Sequence, residues 1–135
     1  QYQRRFTFDI DWNDFSGQTD LYRVVDIRLV KNSSLPTDTL QLKNGSLVTN
    51  DQGNDGGLIK VKMVSYDYVF NGSDTTVAFD FYLMRCSPEY YRYHESLGNY
   101  SSGDPFSEPT LIYTNITGGL GVFSGYQMIR KRVYL

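Results

Sequence analysis

Side chains that could perform catalysis are few in this chain of 135 residues. His94 is the sole histidine, and the sequence assigns it no aspartate, serine or cysteine partner of the kind that a nucleophilic relay needs. Carboxylates form two groups near the first and second turns: Asp9, Asp11 and Asp14, and Asp51 and Asp55. Hydrolysis of a glycosidic bond needs two carboxyl groups about 5 to 10 Å apart in a cleft, and spacing across loops does not establish that distance. A carboxylate-based hydrolase is therefore the weakest of three functional hypotheses.

The second acidic group lies in a segment typical of turns. Because the segment from Asn50 to Gly57 is acidic and contains glycine, Asp51 and Asp55 are candidates for binding calcium. It lacks the alternating oxygen ligands and the closing glutamate of an EF-hand loop. A turn network of Asn and Asp side chains is the favoured interpretation, and we expect no cofactor.

A run of tyrosines gives a second hypothesis. Tyrosine offers a flat apolar face with a polar tip, which can stack on a sugar or a peptide. Four tyrosines would serve a free-standing glycan- or peptide-binding module: Tyr90, Tyr91, Tyr93 and Tyr100. Core packing and hydrogen-bonded anchoring of a helix explain the same residues equally well.

A glycine-rich stretch from Asn115 to Tyr126 is the most distinctive part of the sequence. Its glycines, among them Gly118, Gly119 and Gly121, alternate with large apolar residues such as Phe123. Glycine marks positive φ or a close approach of another segment, so we expect this path to be packed into the core as a bulged strand. A phosphate-binding loop would need a helix start and a lysine or acidic partner at set spacing, and the stretch has neither.

Composition limits the remaining classes of function. The net charge is −2, so no overall field attracts nucleic acid, and the short basic run Arg130 to Arg132 does not change this. The single cysteine, Cys86, excludes an internal disulfide and a cysteine-rich metal site, and its place at the end of an apolar strand indicates a buried thiol. No apolar run approaches the roughly 18 to 20 residues that span a bilayer.

The pattern of apolar residues predicts an all-β domain. Alternation with period two predicts five strands: Arg4 to Trp12, Leu21 to Val30, Leu58 to Tyr68, Val77 to Arg85 and Gln127 to Tyr134. In the second, Val25, Ile27 and Leu29 share one side, and Tyr22, Asp26 and Arg28 share the other. We expect that strand to be antiparallel to the first.

The connections are predicted from turn and cap residues. Polar composition from Lys31 to Gly57 indicates a long loop with one short strand at Leu40 to Leu42, and Thr110 to Tyr113 is a further short strand. Asn71-Gly72 predicts a β-hairpin between its two neighbouring strands. Ser87, Pro88 and Glu89 begin a short helix over residues 88–97, which Gly98 should end. The result is a single antiparallel β-sandwich domain, residues 1–135, in the style of immunoglobulin or fibronectin domains.

Three C-terminal segments resemble a Bacteroidota lipoprotein family catalogued as domain of unknown function 4249. They are CSPEYYRY from Cys86 to Tyr93, DPFSEP from Asp104 to Pro109, and YTNITGGLGVF from Tyr113 to Phe123. The turn TNDQGNDG from Thr49 to Gly56 resembles the family's acidic turn less closely. In this resemblance Asn115, Gly118, Gly119, Gly121 and Phe123 belong to the family's most recognisable signature.

The resemblance implies a third and preferred hypothesis. Members carry an N-terminal lipoprotein signal and a further β-rich region, and are typically encoded beside TonB-dependent outer-membrane transporters. We therefore expect the C-terminal part of a longer lipoprotein in a Gram-negative bacterium, outer membrane-associated on its periplasmic or cell-surface side. It would be a non-enzymatic accessory or substrate-binding domain that works with such a transporter in nutrient uptake.

The same resemblance bears on attachment and modification. It implies contact with the membrane only through a lipid anchor outside this sequence, for which Cys86 cannot substitute. The family has no established catalytic residues to carry over. In such bacteria Asp38-Thr39-Leu40 and Asp74-Thr75-Thr76 look like O-glycosylation motifs, which makes Thr39 and Thr75 candidate acceptors.

Overall fold

The computed structural model describes residues 2–32, 35–69, 74–100 and 111–135. Within them, six strands and one helix follow in order: β1 (Tyr2–Asn13), β2 (Leu21–Asn32), β3 (Leu35–Asn50), β4 (Leu58–Val69), β5 (Asp74–Cys86), α1 (Pro88–Asn99) and β6 (Tyr126–Tyr134). Strands β1 and β4 form one antiparallel sheet, and the other has the order β3-β2-β5-β6. An all-β fold of two antiparallel sheets with one short helix is thus confirmed. No helix among the described residues is both long and apolar enough to cross a membrane.

The main core lies between the two sheets. Phe79 of β5 is fully buried at its centre. The Phe79 ring lies 5.3 Å from the Phe6 ring and 5.0 Å from the Phe8 ring, measured between centroids. These two residues, with Ile10 and Trp12, form the inward side of β1. The alternation in β1 therefore packs it over β5.

Strand β4 lies over β2, and polar side chains join them. The Ser65 hydroxyl donates to Asp26, which is 0% exposed. The Arg28 guanidinium donates to buried Asp67. The predicted division of β2 into two sides is confirmed, but its polar side faces the second sheet and is buried. A buried charge is tolerated when it is paired and hydrogen-bonded, and the Arg28–Asp67 pair meets this condition. Asp26 meets it only in part, because its Oδ1 atom has no hydrogen-bond partner among the described residues.

The helix covers the opposite face of the four-stranded sheet. Val25, Met84 and Cys86 form a second buried cluster there, and Tyr90 and Tyr91 pack against it. The N-terminus of α1 is capped as predicted, because the backbone N–H of Tyr90 donates to Ser87 Oγ at 3.4 Å. The predicted end of the helix at residue 97 is wrong by two residues, since α1 includes Gly98 and continues to Asn99.

Several sequence predictions about connections are wrong. The segment expected to be a long loop contains β3, a strand of 16 residues paired with β2 along its length. Strand β1 pairs with β4 and not with β2. The predicted hairpin does not form, because β4 and β5 belong to different sheets; Asn71 and Gly72 themselves lie outside the described residues. Leu111 to Tyr113 is not a strand.

Strand β6 is the edge of the larger sheet, and an ion pair fixes it to β5. Arg132 stands opposite Asp80 in the register, and its Nε and Nη2 atoms donate to the two Asp80 oxygens at 2.7 and 2.8 Å. The Asp80 side chain is 2% exposed. The bonds from Arg132 hold the pKa of Asp80 below its ordinary value of 3.8, although burial opposes this.

Replacing Asp80 with asparagine should lower the free energy of unfolding and remove part of its pH dependence. A carboxylate whose pKa is lower in the folded state stabilises the fold above the unfolded pKa, and this contribution is lost as the pH falls through the folded pKa. Urea unfolding should show a clear gap between wild type and Asp80→Asn at about pH 7, closing below about pH 4. Asp9→Asn, at an exposed pair with Lys62, is the matched control. A gap that stays constant down to about pH 2.5 would contradict this interpretation.

Gly45 is required by its neighbour across the strands. It stands opposite Asp26 in the β2–β3 register, and a Cβ placed on it would lie 2.6 Å from Asp26 Oδ1. Gly45→Ala should therefore destabilise the protein by about 1–3 kcal/mol. In the Asp26→Ala background the same change should cost much less, which a double-mutant cycle by chemical denaturation measures. An equal cost in both backgrounds would show that Asp26 is not the reason for glycine here.

Candidate binding surface

The glycine-rich stretch is a surface loop, so the prediction that it packs into the core is wrong. Leu120 is 94% exposed and Phe123 is 87% exposed. The residues from Asn115 to Gly125 form no strand. The apolar residues from which we predicted burial are therefore exposed on the loop. We call Leu120 and Phe123 together the loop surface.

One side chain closes this loop. Asn115 Nδ2 donates to the carbonyl of Phe123, and Asn115 Oδ1 accepts from the backbone N–H of Phe123, both at 2.8 Å. An asparagine side chain carries the same donor and acceptor as a peptide group. The Asn115 side chain therefore makes with Phe123 the two hydrogen bonds that a peptide group of a neighbouring strand would make. These bonds hold the two ends of the loop together.

The conformation of the loop itself explains why glycine occurs at three of its positions. Gly118 has φ +76 and Gly121 has φ +120, in a region that residues with a side chain rarely adopt. A Cβ on Gly119 would lie 3.3 Å from Ile116 Cγ2. Ile116 therefore fills the inside of the loop, while Leu120 and Phe123 point away from it.

The end of the loop is joined to the start of the helix. The backbone N–H of Ser87 donates to the carbonyl of Gly125 at 2.9 Å. The N–H of Gly125 in turn approaches Ser87 Oγ at 3.5 Å, the oxygen that caps α1. The loop thus has a defined position relative to both α1 and β6.

Exposed apolar side chains are concentrated in the same C-terminal region. Large apolar residues more than a third exposed between positions 111 and 135 are Leu111, Ile112, Ile116, Leu120, Phe123, Tyr126, Met128, Ile129, Tyr134 and Leu135. Single exposed apolar residues are ordinary, whereas a concentration of them marks a surface that contacts another molecule. The candidate site is therefore this region, and sequence reasoning missed it because apolar residues alone do not distinguish a core from a docking surface.

Two of the four candidate tyrosines anchor the helix. Arg23 Nη1 donates to Tyr90 Oη at 2.7 Å, and the Tyr90 ring lies 5.1 Å from the Tyr126 ring between centroids, tilted by 52°. Tyr91 packs on the cluster around Val25. Burial raises the pKa of both Tyr90 and Tyr91. Helix anchoring therefore accounts for these two tyrosines.

The other two tyrosines differ in exposure, since Tyr93 is half-buried like Tyr90 and Tyr91 and Tyr100 is exposed. Tyr93 lies edge-on to the His94 ring at 5.2 Å, and Tyr100 is 49% exposed. His94 Nε2 lies 3.3 Å from Arg23 Nη1, between the helix and the sheet. A surface that stacks on a sugar through all four tyrosines is not assembled, because Tyr90 and Tyr91 are engaged in packing.

The two candidate calcium ligands are close together, and Asp14 joins them. One carboxylate oxygen from each of Asp14, Asp51 and Asp55 lies within 4.8 Å of the others, a spacing that would suit a hard cation. Each carboxylate also accepts hydrogen bonds: Asp14 from Tyr22 Oη and Gly56 N, Asp51 from Asp20 N, and Asp55 from Gly17 N. These bonds form the turn network that the sequence favours.

Electrostatics at Asp14 follow from that network. Burial alone would raise the pKa of Asp14, but hydrogen bonds from Tyr22 and from the backbone N–H groups of Gly56 and Phe15 hold it below 3.8. The carboxylate is therefore ionised at neutral pH while 8% exposed. Its hydrogen bonds with Tyr22 and Gly56 join the two turns, and calcium binding by Asp51 and Asp55 stays a prediction.

The remaining carboxylates do not join this cluster. Asp9 and Asp11 lie on the exposed side of β1, and Asp9 pairs with Lys62 at 2.7 Å. The two groups of acids predicted from the sequence therefore meet only through Asp14, and Asp9 and Asp11 lie apart from it. A carboxylate-based hydrolase stays a prediction.

Two further residues complete the sequence-based candidates. Thr39 lies in β3 opposite Lys31, with its side chain outside the described residues, and Thr75 is exposed in β5 opposite the same lysine. O-glycosylation of either residue stays a prediction. Cys86 is buried as expected, and burial raises its pKa to about 11.

The closure by Asn115 gives a measurable expectation. Asn115→Ala should accelerate hydrogen exchange of the Phe123 amide by about two- to tenfold, since one net hydrogen bond contributes about 0.5–1.5 kcal/mol. The melting temperature should change little, because both residues are exposed. Asn115→Asp keeps the acceptor for the Phe123 N–H and should preserve most of the protection. Equal exchange rates in wild type and Asn115→Ala would show that the bond does not hold the loop.

Comparison with known proteins identifies one family. No curated protein and no solved structure matches this chain significantly. A family model described as Domain of unknown function (DUF4249) matches residues 1–132, which is nearly the whole chain and includes the loop that Asn115 closes. The chain therefore belongs to the DUF4249 family.

Proposed function

We propose that this chain is a non-enzymatic binding domain whose loop surface docks onto a partner protein. The observation that carries the proposal is a loop of fixed shape that displays Leu120 and Phe123 almost completely to solvent. An apolar side chain that is held exposed gains free energy when a partner covers it, at about 25 cal/mol per Å².

The fixed shape of the loop supports a role in recognition. Binding costs free energy when flexible groups become ordered, and a preorganised surface avoids part of that cost. Asn115, the two positive-φ glycines and the Ser87–Gly125 contact order the loop before any partner is present. Aromatic anchors such as Phe123 are typical of the residues that contribute most to an interface.

The proposed partner is a TonB-dependent transporter of the outer membrane. The resemblance to lipoproteins encoded beside such transporters supports this choice, as does membership of the DUF4249 family. The domain would then be part of an outer-membrane-associated lipoprotein of a Gram-negative bacterium, on the periplasmic or cell-surface side. It would act as an accessory of nutrient uptake, and the nutrient would be a glycan or peptide that the transporter carries.

Co-purification tests the proposal. The complete lipoprotein, carrying Leu120→Ser and Phe123→Ser together, is purified from its own membranes in mild detergent beside the wild type. We expect the wild type to retain the transporter and the double variant to lose most of it, while the melting temperature stays unchanged because both side chains are exposed.

Phe15→Ser is the matched control. Phe15 is 62% exposed and lies in a different turn, where the Arg85 guanidinium covers its ring. This variant also removes exposed apolar area, and it should retain the transporter. The proposal fails if no transporter accompanies the wild type, or if Phe15→Ser and the double variant lose it equally.

A further inference from the structure

The larger sheet has two more strands than the smaller one, and its edge strand β6 has no strand of the smaller sheet above it among the described residues. Strand β4 lies over β2, as the Ser65–Asp26 bond shows, and β1 lies over β5. The smaller sheet has no third strand among the described residues. Strand β6, next to β5 in the larger sheet, therefore has no strand above it.

The inward residues of β6 show the effect. Ile129 stands opposite Leu83 and Val133 stands opposite Phe79 in the register. Residues directly opposite in an antiparallel pair point to the same face, so both side chains point to the core side. Ile129 is nevertheless 68% exposed.

A groove runs between β1 and β6. Ile10 and Trp12 form one wall, Leu83 forms the floor, and Ile129, Lys131 and Val133 form the other wall. Its lining is mainly apolar, with Lys131 as a cation on the β6 side and Asp9 and Asp11 as carboxylates on the β1 side. The groove is separate from the loop surface, because no residue from Asn115 to Gly125 lines it.

The outer edge of β1 is free to pair with another strand. β1 pairs with β4 along all of Tyr2–Asn13, and no other described strand pairs with it. The other edge of β1 therefore presents a row of backbone donors and acceptors at strand spacing. Such an edge is a template for an added strand.

We propose that an extended segment of a partner polypeptide adds to the free edge of β1 as a third strand and fills the groove over β6. Strands in a sheet are about 4.8 Å apart and packed sheets about 10 Å apart, so one strand beside β1 lies directly over β6. Alternate apolar side chains of the segment would contact Ile129 and Val133, and basic side chains on its other face would lie beside Asp9 and Asp11 of β1, which also line the groove.

The geometry argues against a second copy of this chain as the occupant. In each copy β1 already covers its own β5. If β1 of one copy paired with β1 of another in a continuous sheet, the β5 of the second copy would occupy the place of β6 in the first. The space over β6 has room for one strand that carries no second sheet beneath it. A single extended segment meets this condition.

The chain itself supplies a matched probe. A synthetic peptide LIKVKMV, with the sequence of β4 from Leu58 to Val64, has the alternation that already pairs with β1. A peptide of the same composition without alternation is its control. We expect the first peptide, added to the full-length protein, to protect the amides of Phe6 to Trp12 from hydrogen exchange and to shift the methyl signals of Ile129 and Leu83. The scrambled peptide should do neither.

A pair of variants on one strand locates the binding. Ile129→Glu places a charge in the groove and should weaken the peptide about tenfold or more, with an unchanged melting temperature because the side chain is exposed. Met128→Glu adds the same charge on the opposite face of β6, where Met128 stands opposite Met84 and is 48% exposed. This control should bind as the wild type does.

Several outcomes would overturn the proposal. Equal binding or no binding of the two peptides would do so, as would loss of protection in β4, which would mean that the peptide replaces β4. Equal weakening by both variants would place the contact elsewhere. A dimer of the protein that Ile129→Glu dissociates would assign the groove to a second copy.

Discussion

The structure depends on the complete enclosure of β2. This strand is hydrogen-bonded to β3 on one edge and to β5 on the other, the second sheet covers one face, and α1 covers the other. The buried polar side chains of β2 therefore depend on partners within the protein. The partners of Asp26, Arg28 and Arg23 are Ser65, Asp67, and Ser46 with Tyr90, respectively. These bonds set the positions of β4 and α1, and α1 sets the position of the loop surface through Ser87.

Alternation and capping residues predict most of the elements because both depend on neighbours in sequence. The strand patterns of β1, β2, β4, β5 and β6 and the Ser87-Pro88 start of α1 are confirmed. Strand β3 was not predicted over its full length, because its polar residues and Gly45 are typical of a loop. Gly45 is needed there because it leaves room for Asp26, a requirement set by another strand. The pairing of the strands could not be predicted in this way either. Alternation with period two shows on which face of its strand a residue lies, but it does not show which strand lies beside it.

The loop surface shows a different limit of sequence reasoning. Glycines beside Leu120 and Phe123 are consistent with a tightly packed path and with a displayed loop. The feature that decides between them is the pair of bonds from Asn115 to the backbone of Phe123, eight positions away. No local propensity encodes that contact. The tyrosines are a partial success, because packing, one of the two interpretations of Tyr90 and Tyr91, is confirmed.

The burial of Cys86 gives the protein a built-in reporter of its own opening. The thiol lies beneath α1 with its pKa raised to about 11, so at neutral pH only about one molecule in ten thousand carries the reactive thiolate. Because the residue is 9% exposed and packs beneath Tyr90 and Tyr91, a maleimide or disulfide reagent should react faster with this sulfur when the helix leaves the sheet. Because the chain has one cysteine, the labelling rate of native protein would measure how often that layer detaches, without any engineered probe.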